Sequence, residues 1–292
     1  MKGATVLTPS VLRDWPLPDM QGDKESRGRA LVVGGSVPNP GAIMLAAEAT
    51  LRAGAGKVQL VAPEPVAPHM AIALVEALVR GAPATEAGNL APAASEVVAE
   101  LAAEAKGVLI GPGLLDTHEA AALVDACVPH VPSTLVLDAL GLCWVTEDPE
   151  RVQAVGGRCV LSPNASELAL VLSEDEDTVA ADVPGHVQEL ARRTGAVVTA
   201  GGAMTAIAHP DGDLWISEEG GPGLGTSGSG DVKAGMILGL CARGAEPAQA
   251  AVWASYLHGT VGGRLASRYG PAGFLARELP GEVPQALLEI GF

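Results

Sequence analysis

The chain has 292 residues, of which 48% are hydrophobic, enough for a large buried core. Its 34 Asp and Glu outnumber its 18 Lys and Arg, a formal net charge of −16 that no basic tract interrupts. Such a field repels nucleic acid and anionic membranes, so neither is expected as a partner, although a small anion received by backbone N–H groups is still admitted.

Residues 1–28, with Pro9, Pro16 and Pro18, read as an extended N-terminal arm. They hold no apolar stretch of the secretory type, and no charge-free run in the chain is long enough to span a membrane. A cytoplasmic protein is therefore expected. Ala30-Leu31-Val32-Val33 before Gly34-Gly35 is a buried strand, Gly41 to Ala53 a helix stopped by Gly54 and Gly56, and Lys57 to Val61 the next strand. Residues 82–106 read as a crossover segment. Val108-Leu109-Ile110 is a strand ending at Gly111-Pro112-Gly113, with a helix over 116–127. Thr134 to Leu137 is a strand ending at Asp138, and Cys159 to Leu161 is followed by a helix from about Ala165 to Leu172. Val197-Val198-Thr199 opens a β-rich stretch in which Thr205–Ala208 and Leu214–Ser217 form a hairpin around His209-Pro210-Asp211-Gly212. Helices are expected over 229–242, 246–267 and 271–279.

Strands alternating with helices predict an α/β protein, a three-layer αβα sandwich with a mainly parallel central sheet, as a single domain over 1–292. Ligands of such sheets sit beyond the carboxyl ends of the strands. Gly34-Gly35, Gly111-Pro112-Gly113, Asp138 and Pro163-Asn164 are four strand ends expected to face one crevice.

Glycines crowd residues 220 to 230, directly before Asp231 and the apolar run from Val232. Ordering so many glycines costs entropy, so the fold must need unusual backbone angles or close ligand approach there. A glycine turn opening a helix offers unpaired N–H groups and a positive dipole end to a phosphate. Asp231 then reads as a general base toward a substrate hydroxyl, with Gly228, Ser229 and Gly230 as an anion hole. As a mere helix-end charge it would contribute only ~0.3–1 kcal/mol and would not need the glycines. Gly223, Gly225 and Gly228 also fit G-x-G-x-x-G, but residues 248–252 offer no acid for a ribose, and no P-loop lysine motif occurs.

Gly223-Leu224-Gly225-Thr226-Ser227-Gly228-Ser229-Gly230-Asp231 resembles the G-M-A-T-A-G-S-G-D of the ADP/ATP-dependent NAD(P)H-hydrate dehydratases, carbohydrate-kinase-related members of the ribokinase-like superfamily. The segments Pro40-Gly41-Ala42, Leu51-Arg52-Ala53-Gly54-Ala55-Gly56, Ile110-Gly111-Pro112-Gly113-Leu114 and Tyr256-Leu257-His258-Gly259 are similar to further family motifs in the same order. The resemblance runs from about residue 23 to 280. It implies a ribokinase-like fold and nucleotide-dependent repair of hydrated nicotinamide cofactor, NADHX or NADPHX, by phosphorylation of the ring hydroxyl and elimination of phosphate. It also implies Asp231 as base, Ala42, Gly113 and Asn164 at the hydrate, and Gly201, Gly202, Ala203, Met204, Thr205 and Gly230 at the nucleotide. ADP or ATP, Mg²⁺ carried on its phosphates, and a homo-oligomer complete the expectation, for a stand-alone dehydratase without an attached domain of ~200 residues.

Three segments depart from the family pattern. Ser162-Pro163-Asn164-Ala165-Ser166-Glu167 replaces T-P-H-P-G-E, so Asn164 stands for a histidine while Glu167 is retained. Gly201-Gly202-Ala203-Met204-Thr205 lacks the lysine of K-G-x-x-T, with Lys24, Lys57 and Lys233 as possible substitutes, and Leu140 replaces the second acid of D-A-D-A-L. A hydroxyl kinase of the hydroxyethylthiazole type and a catalytically idle nucleotide-binding relative are the alternatives. Cys127, Cys143, Cys159 and Cys241 are too dispersed for a zinc site, the tryptophans read as packing residues, and Ser173 to Asp177 as a solvated loop.

Overall fold

The computed structural model describes all residues except 1, 2, 20, 21, 156, 203 and 292. In chain order its elements are β1 (Thr5–Val6), α1 (Pro9–Asp14), β2 (Arg29–Val33), α2 (Gly41–Arg52), β3 (Lys57–Pro63), α3 (Ala67–Ala73), β4 (Ala77–Ala82), α4 (Ser95–Ala102), β5 (Gly107–Ile110), α5 (Thr117–Cys127), β6 (Thr134–Leu137) and α6 (Cys143–Glu147). There follow β7 (Cys159–Leu161), α7 (Ala165–Leu172), α8 (Glu176–Ala181), α9 (Val183–Thr194), β8 (Val197–Gly201), β9 (Thr205–Ala208), β10 (Leu214–Ser217), α10 (Ser229–Ala242), α11 (Pro247–Tyr269) and α12 (Leu279–Ile290).

The strands form one sheet in the order β1-β10-β9-β8-β7-β6-β5-β2-β3-β4. Among the described residues every pairing of these strands is parallel except those of β9, which runs antiparallel both to β10, as the expected hairpin requires, and to β8. Alternate strand residues face opposite sides. Ala30, Val32, Leu109 and Val136 pack beneath α2, α10, α11 and α12, while Leu31, Val33, Ile110 and Leu137 pack beneath α4, α5, α7 and α9. The result is the expected αβα sandwich.

α10 runs through the first of these layers with hardly an exposed residue after Asp231. Small residues make this possible. A side chain at Gly235 would strike the Ala46 carbonyl of α2, and one at Gly239 the Thr50 carbonyl. Thr50 in turn donates to Ala46 O at 2.8 Å and to Gly235 O at 3.0 Å, tying the two backbones together.

Several expectations need correction. The N-terminal arm is not merely extended: β1 pairs in parallel with β10, and α1 buries Leu12 completely. Trp15 O accepts from Trp253 Nε1 at 2.9 Å, Pro16 O from Gln249 Nε2 at 2.9 Å, and Ile290 O from Arg13 Nη1 at 3.2 Å. The last helix is not 271–279 but α12, because Gly270 and Gly273 take φ of +97° and +108° and only a 3₁₀ turn at Ala276–Glu278 precedes Leu279. The acidic run is partly helical, since Asp175 caps α8 by accepting from Asp177 N–H. No helix among the described residues is long and apolar enough to cross a membrane.

Candidate active site

The glycine segment ends at Gly228, whose φ of +90° suits glycine and whose Cα lies against Leu45 of α2. That turn aims the N-terminus of α10 into a cavity of about 760 Å³. No side chain caps this helix end. The Ser229 N–H already donates to Thr226 O at 3.2 Å, so within the expected anion hole it is the weaker donor. Gly230, in the first turn, has no intrahelical acceptor for its N–H.

Asp231 lines the cavity beside these donors. Burial, reinforced by the charge of Glu167, pushes its carboxyl up to about 6. At neutral pH it is thus mostly ionised but only weakly below its protonation range, as a general base requires. Asp138, at the carboxyl end of β6, is held well above the usual carboxylate range by burial and by the charges of Asp231 and Glu167, with Lys233 opposing. Glu167 is raised by burial, with the hydrogen bond from Asn164 and the charge of Lys233 opposing. His258 of α11 shares a 2.8 Å hydrogen bond between Nε2 and Ser229 Oγ. Burial first, and the charge of Lys233 second, lower its pKa to about 3, so it is a neutral support for the helix end.

Asn164 lines the cavity, yet its Oδ1 accepts from Glu167 N–H at 2.9 Å while Glu167 Oε2 accepts from Asn164 N–H at 2.8 Å. This capping box starts α7 and fixes the Glu167 carboxylate at the wall. Gly201, Gly202 and Thr205, around the β8–β9 turn, line the cavity next to Asn164, which bridges Gly201 in parallel; Met204 does not line it, and Ala203 lies outside the described residues. Ala42 and Gly113 are not on this cavity's lining. Ala42 sits in the first turn of α2, one turn before Leu45, and Gly113 packs against Gly35 and Asn39 O.

Of the four strand ends expected to converge, the structure brings Asp138 and Pro163-Asn164 to the cavity. The Gly34-Gly35 and Gly111-Pro112-Gly113 turns pack against each other instead, with Gly35 N–H donating to Pro112 O at 2.7 Å. Of the three candidate lysines only Lys233 reaches the cavity, whereas Lys57 is bound by Glu25. Sequence reasoning missed Glu219, which closes the cavity from the glycine segment's start. Its position six residues before Gly225 carried no pattern that would single it out.

No three His, Cys, Asp or Glu among the described residues could together hold a metal ion. Mg²⁺ bound chiefly by nucleotide phosphates needs only one or two protein carboxylates, and Glu167 with Asp138 meets that need.

The sequence model of the NAD(P)H-hydrate dehydratases, a carbohydrate-kinase family, matches residues 30–285. The ADP-dependent (S)-NAD(P)H-hydrate dehydratase of Xanthomonas campestris is 45% identical over 281 residues, 96% of this chain and 95% of that protein. The bifunctional NAD(P)H-hydrate repair enzyme of Moorella thermoacetica is 36% identical over 93% of this chain, which spans 51% of that longer protein. Among solved structures, the ADP/ATP-dependent NAD(P)H-hydrate dehydratase of Bacillus subtilis, co-crystallised with ATP/Mg²⁺, superposes with a TM-score of 0.82 at 26% identity, covering 99% of this chain and 100% of that one. A ribokinase-like superfamily protein of Enterococcus faecalis shares the fold, with a TM-score of 0.82 at 20% identity over 99% of this chain and 97% of that one. With the glycine-framed Asp231 and the family match extending across nearly the whole sheet, this chain belongs to the NAD(P)H-hydrate dehydratase family and has its ribokinase-like fold.

Proposed function

We propose that the protein dehydrates (S)-NAD(P)HX to NAD(P)H with ADP or ATP as phosphoryl donor, as one catalytic domain in the cytoplasm. The observation that carries this reading is the half-buried Asp231 in the first turn of an uncapped, glycine-opened helix. Asp231 takes the proton of the ring hydroxyl as that oxygen bonds to the terminal phosphorus and the donor's bridging P–O bond breaks. Gly228 and Gly230 N–H groups, with the helix dipole, stabilise the charge on the transferring group. The C–O bond then breaks, phosphate leaves, and loss of a proton from the adjacent ring carbon restores the double bond.

Mg²⁺, when bound, neutralises phosphate charge; Glu167 and Asp138 are the residues placed to hold it. Gly201, Gly202 and Thr205 border the nucleotide, and Asn164 keeps Glu167 in place by the capping box. Ala42 and Gly113, off this cavity's lining, are the residues that the resemblance sets at the hydrate. Exposed Ile72, Val75 and Leu78, on and beside α3 and β4, support a homo-oligomer.

The test is return of NADH absorbance from NADHX on adding nucleotide, with Asp231→Asn expected to lower kcat by ~10²–10⁴. A stable phosphorylated product would assign the site to a hydroxyl kinase instead. Thermal stabilisation by nucleotide with no turnover would mark an idle relative.

A further inference from the structure

Among the described residues, the cavity wall carries four carboxylates, Asp138, Glu167, Glu219 and Asp231, and a single cationic side chain, Lys233. A nucleotide diphosphate or triphosphate entering there meets strong repulsion unless that cation faces it. Lys233 is only 7% exposed, yet its ammonium makes no hydrogen bond or ion pair with another described residue. Asp138 and Glu167 attract it across the cavity without touching it. A buried ammonium without a hydrogen-bonding partner is costly. Its position brings no relief, because the start of α10 is the helix end whose dipole does not favour a positive charge. A leucine would fill the same place without these penalties, so packing does not explain a lysine there.

Resting on the dehydratase reading above, we propose that Lys233 Nζ binds the terminal phosphoryl group of the nucleotide, and after transfer the departing phosphate, as the counter-charge to Asp231 on the same helix. Asp231 and Lys233 stand two residues apart at the start of α10, and both line the cavity together with Gly228, Ser229 and Gly230. The transferring phosphorus is thereby held between backbone donors and an ammonium while the hydroxyl faces Asp231. Asp138 and Glu167 hold Lys233 protonated against its burial, which lowers its pKa.

Titration calorimetry of adenosine, AMP and ADP with Mg²⁺ on wild type and Lys233→Met tests this. The variant is expected to bind ADP ~10- to 100-fold more weakly, the loss of one charge-assisted contact, with adenosine and AMP unchanged. Lys233→Arg is expected to recover part of the loss. The ligand-free variant should melt at a higher temperature than wild type, since a buried charge has been removed. Unchanged ADP affinity, or an equal loss for all three ligands with a lower melting temperature, would overturn the proposal and leave Lys233 a structural group. Should the variant not fold, a crystal structure of wild type with ADP or inorganic phosphate decides. An oxygen of the terminal phosphate within about 3 Å of Nζ supports the role, and phosphate bound elsewhere rejects it. If wild type binds neither ADP nor ATP, the dehydratase reading fails as well, an outcome distinct from a wild type that binds and a variant that binds equally.

Discussion

Asp231 has to be ionised to accept a proton, and its pKa is pushed up to about 6 by burial and by Glu167. kcat/KM is therefore expected to fall as pH drops through about 6, and Glu167→Gln to move that acid limb to lower pH by removing a neighbouring negative charge. A pH profile of both proteins measures it; an unshifted limb would mean that another group sets it. The same acids oppose folding. For a carboxyl whose folded pKa is raised, stability is present below the unfolded value near 4 and lost as pH rises through the folded value. Asp138, raised mainly by burial, follows this rule, so Asp138→Asn should raise Tm at neutral pH by about 2–4 °C for each kcal/mol relieved, and the gain should disappear in acid. At this scale the glycine-framed Asp231 was legible in the sequence, because so many ordered glycines demand a reason. The seclusion of Lys233 was not, since it depends on which side chains distant segments bring together, whereas the capping role of Asn164 lay within the local Asn164–Glu167 spacing and was overlooked.

Helix α10 positions both Asp231 and Lys233, and its own position depends on the close contact with α2. Gly235→Val would force a branched side chain into the Ala46 carbonyl and break the approach held by Thr50. A destabilisation of ~1–3 kcal/mol is expected from denaturant unfolding, together with reduced activity as the helix start shifts. A variant as stable and active as wild type would show that the two helices are free to separate. Most elements could be read from glycine punctuation and apolar periodicity, including the β9–β10 hairpin and the start of α10. The exceptions have physical causes. Pro271 and the glycines at 270 and 273 interrupt the chain where a helix was expected, and the apolar faces of α3, α9 and α12 went unread beside their prolines.

At the scale of the whole molecule, the N-terminal segment is a strap across α11, α12 and the β10 edge. Its anchors lie far off in sequence, as the bond from Trp253 Nε1 to Trp15 O, across 238 positions, illustrates. Leu12→Ala is expected to cost ~2–5 kcal/mol, read as a lowered Tm, because the side chain is fully buried among those helices. Prolines alone suggested an extended arm; its strand and helix arise from partners near the other end of the sequence, which no local pattern encodes. The net charge acts at this scale too. Nucleotide association should speed up between 10 and 150 mM salt, as the screening length shrinks from about 30 to 8 Å and the global repulsion is lost. A rate that falls with salt would instead show that local cationic attraction dominates.

The carboxylates gathered at the strand ends also make the cavity a store of exchangeable protons. With Asp138 and Asp231 titrating so far above ordinary carboxylates, a ligand cation that settles beside them displaces hydrogen ions into the medium, and a phosphate draws them in. The heat of binding should accordingly depend on the ionisation enthalpy of the buffer chosen, so that the same titration in PIPES and in Tris yields different enthalpies at one affinity. The slope between them counts the protons that the site takes up or gives off when the ligand binds.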